Sequence, residues 1–394
     1  MRVAQINATC GIGSTGKICA DISRLLTQRG NENVVLYSSG TTDLATGVKY
    51  LTKIEEKATA LLSRLGGAWG FYSRRATRRL LRQLDSFQPD VVHLHNLHAH
   101  NVNLRMLLSY LAEKEIPTVW TFHDCWAFTG YCMHYAGVGC EKWQTGCHHC
   151  SQKRQYSWLL DKSARLYQEK RRLTDALNLT VVTPSRWMAD QVALSFLKDK
   201  AVRVIHNGID RSVFTAMTQT EYPGLNKDNP VVLGVSYQWN DAKGLDAFMT
   251  MASQLPDTYQ IVLVGTDDAV DRQLPRRIRS IHRTTDQKEL ARLYAMADVL
   301  VNPTREDTFP TVNMEALACG TPVVTYATGG SGEIPDETSG IVVPRGDIAG
   351  LVDAVRRVCE ENPFTAEDCM RRAAAFDKND RYEDYLRLYE EVMQ

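Results

Sequence analysis

The sequence of 394 residues is 44% hydrophobic and 23% charged, which is the composition of an ordinary globular protein. A chain of this length exceeds one comfortable hydrophobic core, so we expect two domains. No uninterrupted apolar run approaches the ~20 residues that a bilayer-spanning helix needs, and residues 2–7 predict a first strand rather than a secretory leader. These features argue against a membrane-spanning protein and lead us to expect a cytoplasmic one.

The net formal charge is zero, but the charge is unevenly distributed. Residues 1–210 carry 27 basic and 17 acidic side chains, whereas residues 211–394 carry 19 basic and 29 acidic ones. A basic half predicts an anionic partner for that half. We expect no nucleic acid, because no helix-turn-helix, zinc-finger or RNA-binding pattern accompanies the charge.

The chain opens with a predicted βαβ unit: a strand, a glycine-rich turn, a helix from Ile18 to Gly30 and a second strand. The turn Gly11–Lys17 matches a Walker A loop up to its last position. There Ile18 stands where a Ser or Thr is needed to bind Mg²⁺. A P-loop nucleotidase is therefore an alternative function, and one that would depend on Lys17 and Mg²⁺.

The segment from Lys53 to Arg82 holds eight basic residues interleaved with leucines and aromatic residues. A basic amphipathic segment of this kind can lie on an anionic membrane surface, which would make the protein peripheral at the inner face of the cell membrane. The alternative is an ordinary surface helix that packs its leucines on the sheet. The pattern alone leaves both interpretations open.

Two further predicted strands, 90–96 and 117–123, end in the polar residues His95 and His123. The carboxyl ends of parallel strands are where open α/β sheets bind ligands. On pattern alone, each histidine is more often a satisfied structural residue than a functional one.

Five of the ten cysteines lie between residues 125 and 150. In a cytoplasmic chain such clustering favours a metal over disulfides. Cys147 and Cys150 form a C-x₂-C pair, and Cys132 and Cys140 could complete a tetrahedral structural zinc site. The alternative is a reduced cluster that is merely packed.

The first domain, residues 1–210 with the Cys-rich insert 125–150, ends after a strand and an Asn207-Gly208 turn. A second βαβ series follows in residues 211–375, and a terminal amphipathic helix occupies residues 376–394.

The most informative stretch is 302–324, NPTREDTFPTVNMEALACGTPVV. It predicts a strand end, a loop with Asp307, a short helix entered at Pro310 that carries Glu315, a Gly320 terminator and another strand. A helix start at the end of a parallel strand suits a diphosphate, and Glu315 could then accept hydrogen bonds from a vicinal diol such as ribose. The alternative is a capping Asp and a solvated Glu.

This stretch resembles the signature of retaining glycosyltransferases of family 4, which has two acids separated by seven residues, a small-residue helix, Gly-x-Pro and a valine strand. Asp307 stands where the family usually has Glu, and the adjacent Glu306 is an alternative acid. The resemblance covers essentially the whole length. It implies an α/β protein of the GT-B architecture, with two doubly wound Rossmann-like domains facing across a cleft.

The resemblance also implies site residues. His123, Asp307 and Lys243 are the implied catalytic residues, with His123 contacting the transferred sugar across the cleft and Lys243 serving as the cation for the donor diphosphate. The implied donor-binding set is Glu315, Lys243, Phe309, Pro310, Thr311, Gly329, Gly330 and Thr266. The loop Gly13, Ser14, Gly16 and the residue His95 are implied on the acceptor side. The arginine that often precedes the family's lysine is missing, since Tyr237, Gln238 and Trp239 stand there.

We therefore predict a metal-independent hexosyltransferase that moves a sugar from a nucleotide sugar to an acceptor hydroxyl with retention. The resemblance favours a lipid-linked or growing cell-surface polysaccharide as the acceptor. No cofactor is expected to be required for transfer. A sugar-nucleotide binding protein without turnover is the main alternative from another class.

Overall fold

The computed structural model describes residues 1–98, 100–217 and 221–394. The chain divides into two compact units. The first unit comprises Met1–His206 together with Asn379–Gln394, and the second unit comprises Asn207–Lys378.

Seven parallel strands form the sheet of the first unit: β1 (Arg2–Thr9), β2 (Glu32–Ser39), β3 (Gly47–Lys49), β4 (Val91–Leu94), β5 (Thr118–Thr121), β6 (Leu179–Thr183) and β7 (Ala201–Val204). Their order is β3-β2-β1-β4-β5-β6-β7, so the winding direction reverses between β1 and β4. Strands such as β4 and β5 are buried along their whole length, as expected of a parallel sheet covered on both faces.

In the described residues, the α-helices that accompany this sheet before the chain enters the second unit are α1 (Gly13–Gln28), α2 (Lys53–Gly66), α3 (Arg74–Phe87), α4 (Leu104–Glu113), α5 (Lys153–Tyr156), α6 (Ser163–Asp175) and α7 (Arg186–Ala193). The basic segment 53–82 is thus not one helix but parts of two. Thr52 begins the first of them with a reciprocal capping box to Glu55.

Helix α1 begins at Gly13 and not at the predicted Ile18. Most of the glycine-rich turn is therefore helical, and a hydrogen bond of 2.8 Å from the Gly11 N–H to the Gly16 carbonyl closes what remains of it. The low helix propensity of glycine is overridden because the apolar side chains that follow, such as Ile22, are buried against the sheet. A phosphate-wrapping Walker A loop is absent from residues 11–17, so the P-loop alternative loses its structural basis.

Six parallel strands form the sheet of the second unit: β8 (Val231–Val235), β9 (Gln260–Val264), β10 (Ile278–Ile281), β11 (Val299–Asn302), β12 (Val323–Tyr326) and β13 (Gly340–Val343). Their order is β10-β9-β8-β11-β12-β13, and the winding reverses between β8 and β11. Both units are therefore doubly wound and Rossmann-like, which confirms the predicted fold class.

The helices of the second unit are α8 (Leu245–Gln254), α9 (Asp268–Asp271), α10 (Gln287–Met296), α11 (Thr311–Ala318), α12 (Ile348–Glu361) and α13 (Ala366–Ala373). Helix α10 begins at Gln287, because the Asp286 carboxylate caps it by accepting from the Glu289 N–H at 2.8 Å.

The last helix, α14 (Lys378–Val392), packs into the first unit. Its buried side includes Tyr385 and Tyr389, which share an apolar cluster with Val3 and Ile22. The phenol of Tyr389 lies 2.7 Å from Nδ1 of His93 on β4.

The boundaries of the two units lie a few residues from the predicted positions 210 and 375. Ile209 pairs with Asp377 in an isolated parallel bridge, and Lys378 Nζ lies 2.6 Å from Asp210 Oδ2. These contacts hold residues 209–210, where the chain enters the second unit, and residues 377–378, where it leaves, within that unit. None of the helices in the described ranges is long and apolar enough to span a bilayer.

Candidate active site

An ion pair marks the point where the winding of the second sheet reverses. Lys243 ends the turn after β8, and Asp307 lies in the loop after β11. Lys243 Nζ is 2.8 Å from Asp307 Oδ2 and donates to the Glu306 carbonyl at 3.3 Å. The side chains of Lys243 and Asp307 are 35% and 23% exposed, so a ligand at this edge can reach both. The structure therefore brings two of the predicted catalytic residues together.

The loop that carries Lys243 is fixed by its neighbours. Gly244 has φ of +76°, and a Cβ there would lie 2.5 Å from Pro303. The Arg305 guanidinium binds Asp246 through two hydrogen bonds of 2.7 Å each. Such bidentate pairs hold a defined geometry. The packing and hydrogen bonds of this loop thus fix the position of the Lys243 ammonium group.

Glu315 lies on helix α11, whose first residue is Thr311 and whose N-cap is Pro310. Its Oε2 accepts a hydrogen bond of 3.0 Å from the hydroxyl of Tyr294 on α10. Burial, together with the nearby carboxylate, raises the pKa of Tyr294 well above its ordinary value, so the phenol stays protonated and donates. Tyr294 therefore orients the Glu315 carboxylate, which keeps part of its surface exposed.

The Gly329-Gly330 pair after β12 packs directly on the Asp307 loop. Gly329 has φ of +54°, and a Cβ there would lie 1.8 Å from the Asp307 carbonyl oxygen, so only glycine fits. The Gly330 N–H donates to the Thr308 carbonyl at 3.1 Å. The Gly330 amide, which belongs to the implied donor-binding set, thus holds the Asp307 loop.

A buried polar network supports the start of α11. Asn302 Nδ2 donates to Asn313 Oδ1 at 2.8 Å, and Asn313 Nδ2 donates to Ser331 Oγ at 3.2 Å. Ser331 in turn lies 2.7 Å from the Thr325 hydroxyl. Because every member is hydrogen-bonded, the network fixes α11 against β11 and β12.

Two residues predicted to bind the donor have internal roles instead. The Phe309 side chain is 2% exposed and packs edge-on against Phe376 at 5.7 Å. Thr266 is 6% exposed, and its hydroxyl lies 2.5 Å from that of Ser280.

In the first unit, a chain of hydrogen bonds runs from α1 to His123. Gln5 Nε2 donates to the Cys19 carbonyl at 3.0 Å, which directs Gln5 Oε1 toward His95 Nε2 at 3.2 Å. His95 Nδ1 lies 3.1 Å from His123 Nε2. A neutral His95 that donates to Gln5 must accept at Nδ1, so His123 carries its proton on Nε2 and its lone pair on Nδ1.

The acceptor contact predicted for His95 needs correction, because the hydrogen bonds to Gln5 and His123 occupy its ring. Its side chain is 1% exposed and both ring nitrogens are engaged. Burial lowers the pKa of His95 well below its ordinary value, and burial lowers the pKa of His123 to about 4, with Asp124 opposing that shift. Both rings are therefore neutral near pH 7, and His95 positions His123.

A second pair flanks His123: His98 Nε2 lies 2.8 Å from Asp124 Oδ2. Burial disfavours the ionised form of Asp124, but the attraction and hydrogen bond of His98 and the Trp126 N–H outweigh it and lower the pKa of this carboxyl. A cavity of about 10 Å³, bordered by these side chains, has room for roughly one water molecule.

The predicted acceptor loop forms the first turn of α1. Gly13 and Ser14 are exposed there, and a Cβ at Gly13 would meet nothing within 4 Å. Gly16 is buried, and a Cβ there would lie 2.7 Å from the Thr9 hydroxyl oxygen. Gly13 and Ser14 are accessible to a ligand, whereas Gly16 serves the packing of the helix on β1.

The four cysteines of the predicted zinc site line one cavity of about 310 Å³ in the connection between β5 and α6. All four are free thiols. In the described part of the chain, no three of their sulfurs lie within 4.8 Å of one another. The structure thus places the four predicted ligands around one cavity, but not at the mutual distances of a tetrahedral zinc site.

Two family models match the chain. One, described as Glycosyltransferase Family 4, matches residues 15–213, just over half of the chain. The other, described as Glycosyl transferases group 1, matches residues 229–361. The chain belongs to glycosyltransferase family 4.

Two relatives of this glycosyltransferase illustrate a similarity that extends over most of its length. It is 23% identical to the putative colanic acid biosynthesis glycosyl transferase WcaC of Escherichia coli K12, over 100% of both chains. It is 28% identical to the glycogen synthase of Mycobacterium tuberculosis H37Rv, over 92% of this chain and 86% of the relative.

Solved structures confirm the GT-B fold of the glycosyltransferase. Sucrose-phosphate synthase from Thermosynechococcus elongatus superposes with a TM-score of 0.75 at 18% identity, covering 99% of this chain and 98% of that one. Anabaena HepE in complex with UDP-glucose superposes with a TM-score of 0.67 at 16% identity, covering 99% of this chain and 100% of that one.

Sequence reasoning missed several residues that hold the site of this family 4 enzyme. Tyr294, which orients Glu315, lies in a helical pattern typical of an ordinary core residue. Arg305 stands within the signature stretch, two residues before Asp307, and was left without a role. The role of Gln5 could have been inferred from the sequence, because a polar residue in the middle of a buried apolar strand requires a hydrogen-bond partner.

Proposed function

We propose that the enzyme transfers a hexose from a nucleoside-diphosphate sugar to an acceptor hydroxyl, with retention at the anomeric carbon and without a metal in the transfer step. The observation that carries this proposal is the Lys243–Asp307 pair where the winding of the second sheet reverses. Ligands of doubly wound sheets bind at that position. The UDP-glucose complex of the similarly folded HepE supports a nucleotide sugar as the donor.

Lys243 supplies the positive charge that the leaving diphosphate needs. As the bond from the anomeric carbon to the diphosphate oxygen breaks, negative charge grows on that oxygen. An ammonium group that is already held by Asp307 and the Glu306 carbonyl requires little reorganisation to meet that charge. The start of α11 adds a helix N-terminus, which also favours an anion.

Asp307 has two tasks in this proposal. It holds Lys243 in place before the donor arrives, and with the donor bound its carboxylate orients sugar hydroxyls. It is not assigned as a nucleophile, since a carboxylate 2.8 Å from an ammonium group has its charge largely engaged.

His123 is proposed to accept a hydrogen bond from a hydroxyl of the transferred sugar. Its neutral state, set by burial, and its Nε2–H, set by His95, make Nδ1 the nitrogen that accepts. A neutral imidazole suits this task, because an imidazolium would donate at both nitrogens.

Replacing Glu315 by glutamine tests the donor site. Gln keeps the shape but removes the charge that accepts hydrogen bonds from a diol, so we expect donor affinity to fall about tenfold, or about 1.4 kcal/mol. Nucleotide sugars are first screened by thermal shift, and the best ligand is then titrated by calorimetry.

Glu337→Gln is the matched control for that titration, because Glu337 is exposed in the loop before β13. Unchanged donor affinity in Glu315→Gln would remove Glu315 from the site. Donor binding without transfer to any acceptor would instead favour a sugar-nucleotide binding protein over an enzyme.

We further propose that the acceptor is presented at an anionic lipid surface, as the building of cell-surface polysaccharide would require. The full-length similarity to a colanic acid biosynthesis glycosyl transferase supports this acceptor class. Helix α2 supports binding to a lipid surface, because some of its polar side chains are buried while leucines are exposed to solvent. Thr59 and Ser63 are buried, whereas Leu61 and Leu62 are 53% and 50% exposed.

A neighbouring loop extends this apolar face. Trp158 and Leu159 are 57% and 64% exposed, and the Trp158 N–H donates to the Arg64 carbonyl at the end of α2. Exposed basic residues of α2, Lys53 and Lys57, supply the positive charge that anionic headgroups attract. The resulting combination of apolar and basic side chains fits an anionic bilayer.

We expect the protein to sediment with vesicles of phosphatidylcholine and phosphatidylglycerol but not with phosphatidylcholine alone. Lys53→Glu/Lys57→Glu should weaken binding at least tenfold, since each basic residue near the surface contributes about 1 kcal/mol. Leu61→Ser/Leu62→Ser should weaken it further. Leu194→Ser, at another exposed leucine, is the control. Failure of the wild type to bind the anionic vesicles would refute the proposal.

A further inference from the structure

The four cysteines Cys132, Cys140, Cys147 and Cys150 converge although they span 19 positions of the chain. The thiols of Cys132 and Cys150 are hydrogen-bonded to each other, and Cys140 and Cys147 interact electrostatically with Cys132. Cys147 Sγ also accepts from the Gly130 N–H at 3.2 Å. Backbone N–H groups that donate to a cysteine sulfur stabilise the thiolate form in which cysteine binds a metal.

A second, independent observation is the buried side chain of Lys170 on α6. It is 0% exposed, and its ammonium donates to the carbonyls of Trp126, Thr129 and Gly130 at 2.6, 2.9 and 3.4 Å. The ammonium also lies 3.6 Å from the centre of the Trp126 ring. Within residues 1–98, 100–217 and 221–394, no carboxylate forms an ion pair with it.

A buried cation without an anionic partner is costly. The groups that face Lys170 electrostatically are Cys147, Asp124 and Cys132, with Cys147 the strongest. Four thiolates around Zn²⁺ carry a net charge of −2, so a metal at these cysteines would provide the negative charge that Lys170 otherwise lacks. The three carbonyls and this charge together account for a lysine at a fully buried position.

We propose that Cys132, Cys140, Cys147 and Cys150 bind a structural zinc ion. On binding, each thiol loses its proton to solvent and forms a bond of about 2.3 Å to the metal. Tetrahedral geometry then places the sulfurs about 3.8 Å apart, so the cavity of about 310 Å³ must contract around the ion. Four protein ligands leave no open position for catalysis.

The zinc site would fix the loop that begins at His123. Trp126 lies three residues after His123, its N–H donates to Asp124 at 2.8 Å, and its carbonyl accepts from Lys170. Cross-linking the far end of this loop through a metal restricts its motion, so His123 keeps its place. This role differs from the proposed transfer chemistry and does not depend on it.

The first test is metal analysis of purified protein, with about one zinc per chain expected and four thiols becoming reactive when a chelator removes it. Cys147→Ser/Cys150→Ser should contain less than a tenth of the wild-type zinc. Cys359→Ser, in helix α12 of the second unit, should retain it. Substitution by Co²⁺ should give the intense visible bands of tetrahedral thiolate coordination in the wild type only.

Lys170→Met tests the charge argument with its own readout. This variant keeps all four ligands, so its Co²⁺ affinity should fall at least tenfold while the band positions stay the same. Wild-type protein that holds iron instead of zinc, or that binds neither zinc nor Co²⁺ after reduction, would overturn the proposal. Unchanged Co²⁺ affinity in Lys170→Met would overturn the assignment of Lys170 as the compensating charge.

Discussion

Replacing Lys243 with methionine is expected to slow sugar transfer by about 10²–10³-fold, because one preorganised donor to the leaving group is worth about 3–4 kcal/mol in the transition state. This ammonium group lies where the winding of the second sheet reverses, 2.8 Å from Asp307. Methionine keeps much of the side-chain volume, so the fold should be retained. The measurement is kcat at saturating donor, with Lys288→Met on the exposed side of α10 as the control.

Loss of Lys243 also leaves Asp307 without its cation, and the slower rate could arise from that stranded carboxylate. The double variant Lys243→Met/Asp307→Asn separates the two causes. If the missing cation is responsible, the double variant will be at least as slow as the single one. Recovery of the rate in the double variant, or a normal rate in Lys243→Met, would contradict the assignment of Lys243 to the leaving group.

Acidification is expected to destabilise the first unit, because three of its histidines are buried as neutral rings. Burial lowers the pKa of His123 to about 4 and the pKa values of His93 and His95 well below the ordinary value. In the unfolded chain each histidine binds its proton near pH 6.5. Between those values the unfolded state holds more protons than the folded state. The contribution of these histidines to the free energy of unfolding is therefore fully present above pH 6.5 and is lost as the pH drops toward 4.

The size of the effect follows from the same shift. For His123 alone, moving from pH 8 to pH 5 should cost about 2 kcal/mol of the free energy of unfolding, and His93 and His95 add to it in the same direction. Urea unfolding at several pH values measures it, with tryptophan fluorescence as the probe because six of the seven tryptophans lie in the first unit.

His123→Asn is the variant that checks the origin of this pH dependence. Asparagine cannot titrate in this range, so its stability should decline less steeply below pH 6.5 than that of the wild type. His282→Asn, at a half-exposed position in the second unit, should leave the profile of the first unit unchanged. Equal slopes for His123→Asn and the wild type would show that folding does not lower the pKa of this ring.

The sequence, through the family resemblance that residues 302–324 carry, was sufficient to predict the fold class and the loop, helix and strand around Asp307 and Glu315. Pro310 opens α11, Gly320 ends it, and the spacing places Asp307 in the loop and Glu315 on the helix. Alternating apolar runs and helical patterns favour an α/β fold with parallel sheets, and the resemblance to family 4 implied that both sheets are doubly wound.

What the sequence did not predict depends on contacts between distant segments. Nothing local indicates that Tyr294 orients Glu315 or that Gln5 sets the tautomer of His95, since each pairing arises only when the strands and helices pack. Helix α1 began five residues early for the same reason: burial of its apolar face outweighed the two glycines, Gly13 and Gly16, in its first turn.

The placement of α14 has a consequence for synthesis of the chain on the ribosome. The first unit needs Tyr389 to complete its core and to satisfy His93, a residue 296 positions earlier. Nascent residues 1–206 must therefore wait, with part of their apolar surface uncovered, until the whole second unit has been translated and the last helix emerges. The C-terminal 16 residues thus set the moment at which the amino-terminal half becomes native.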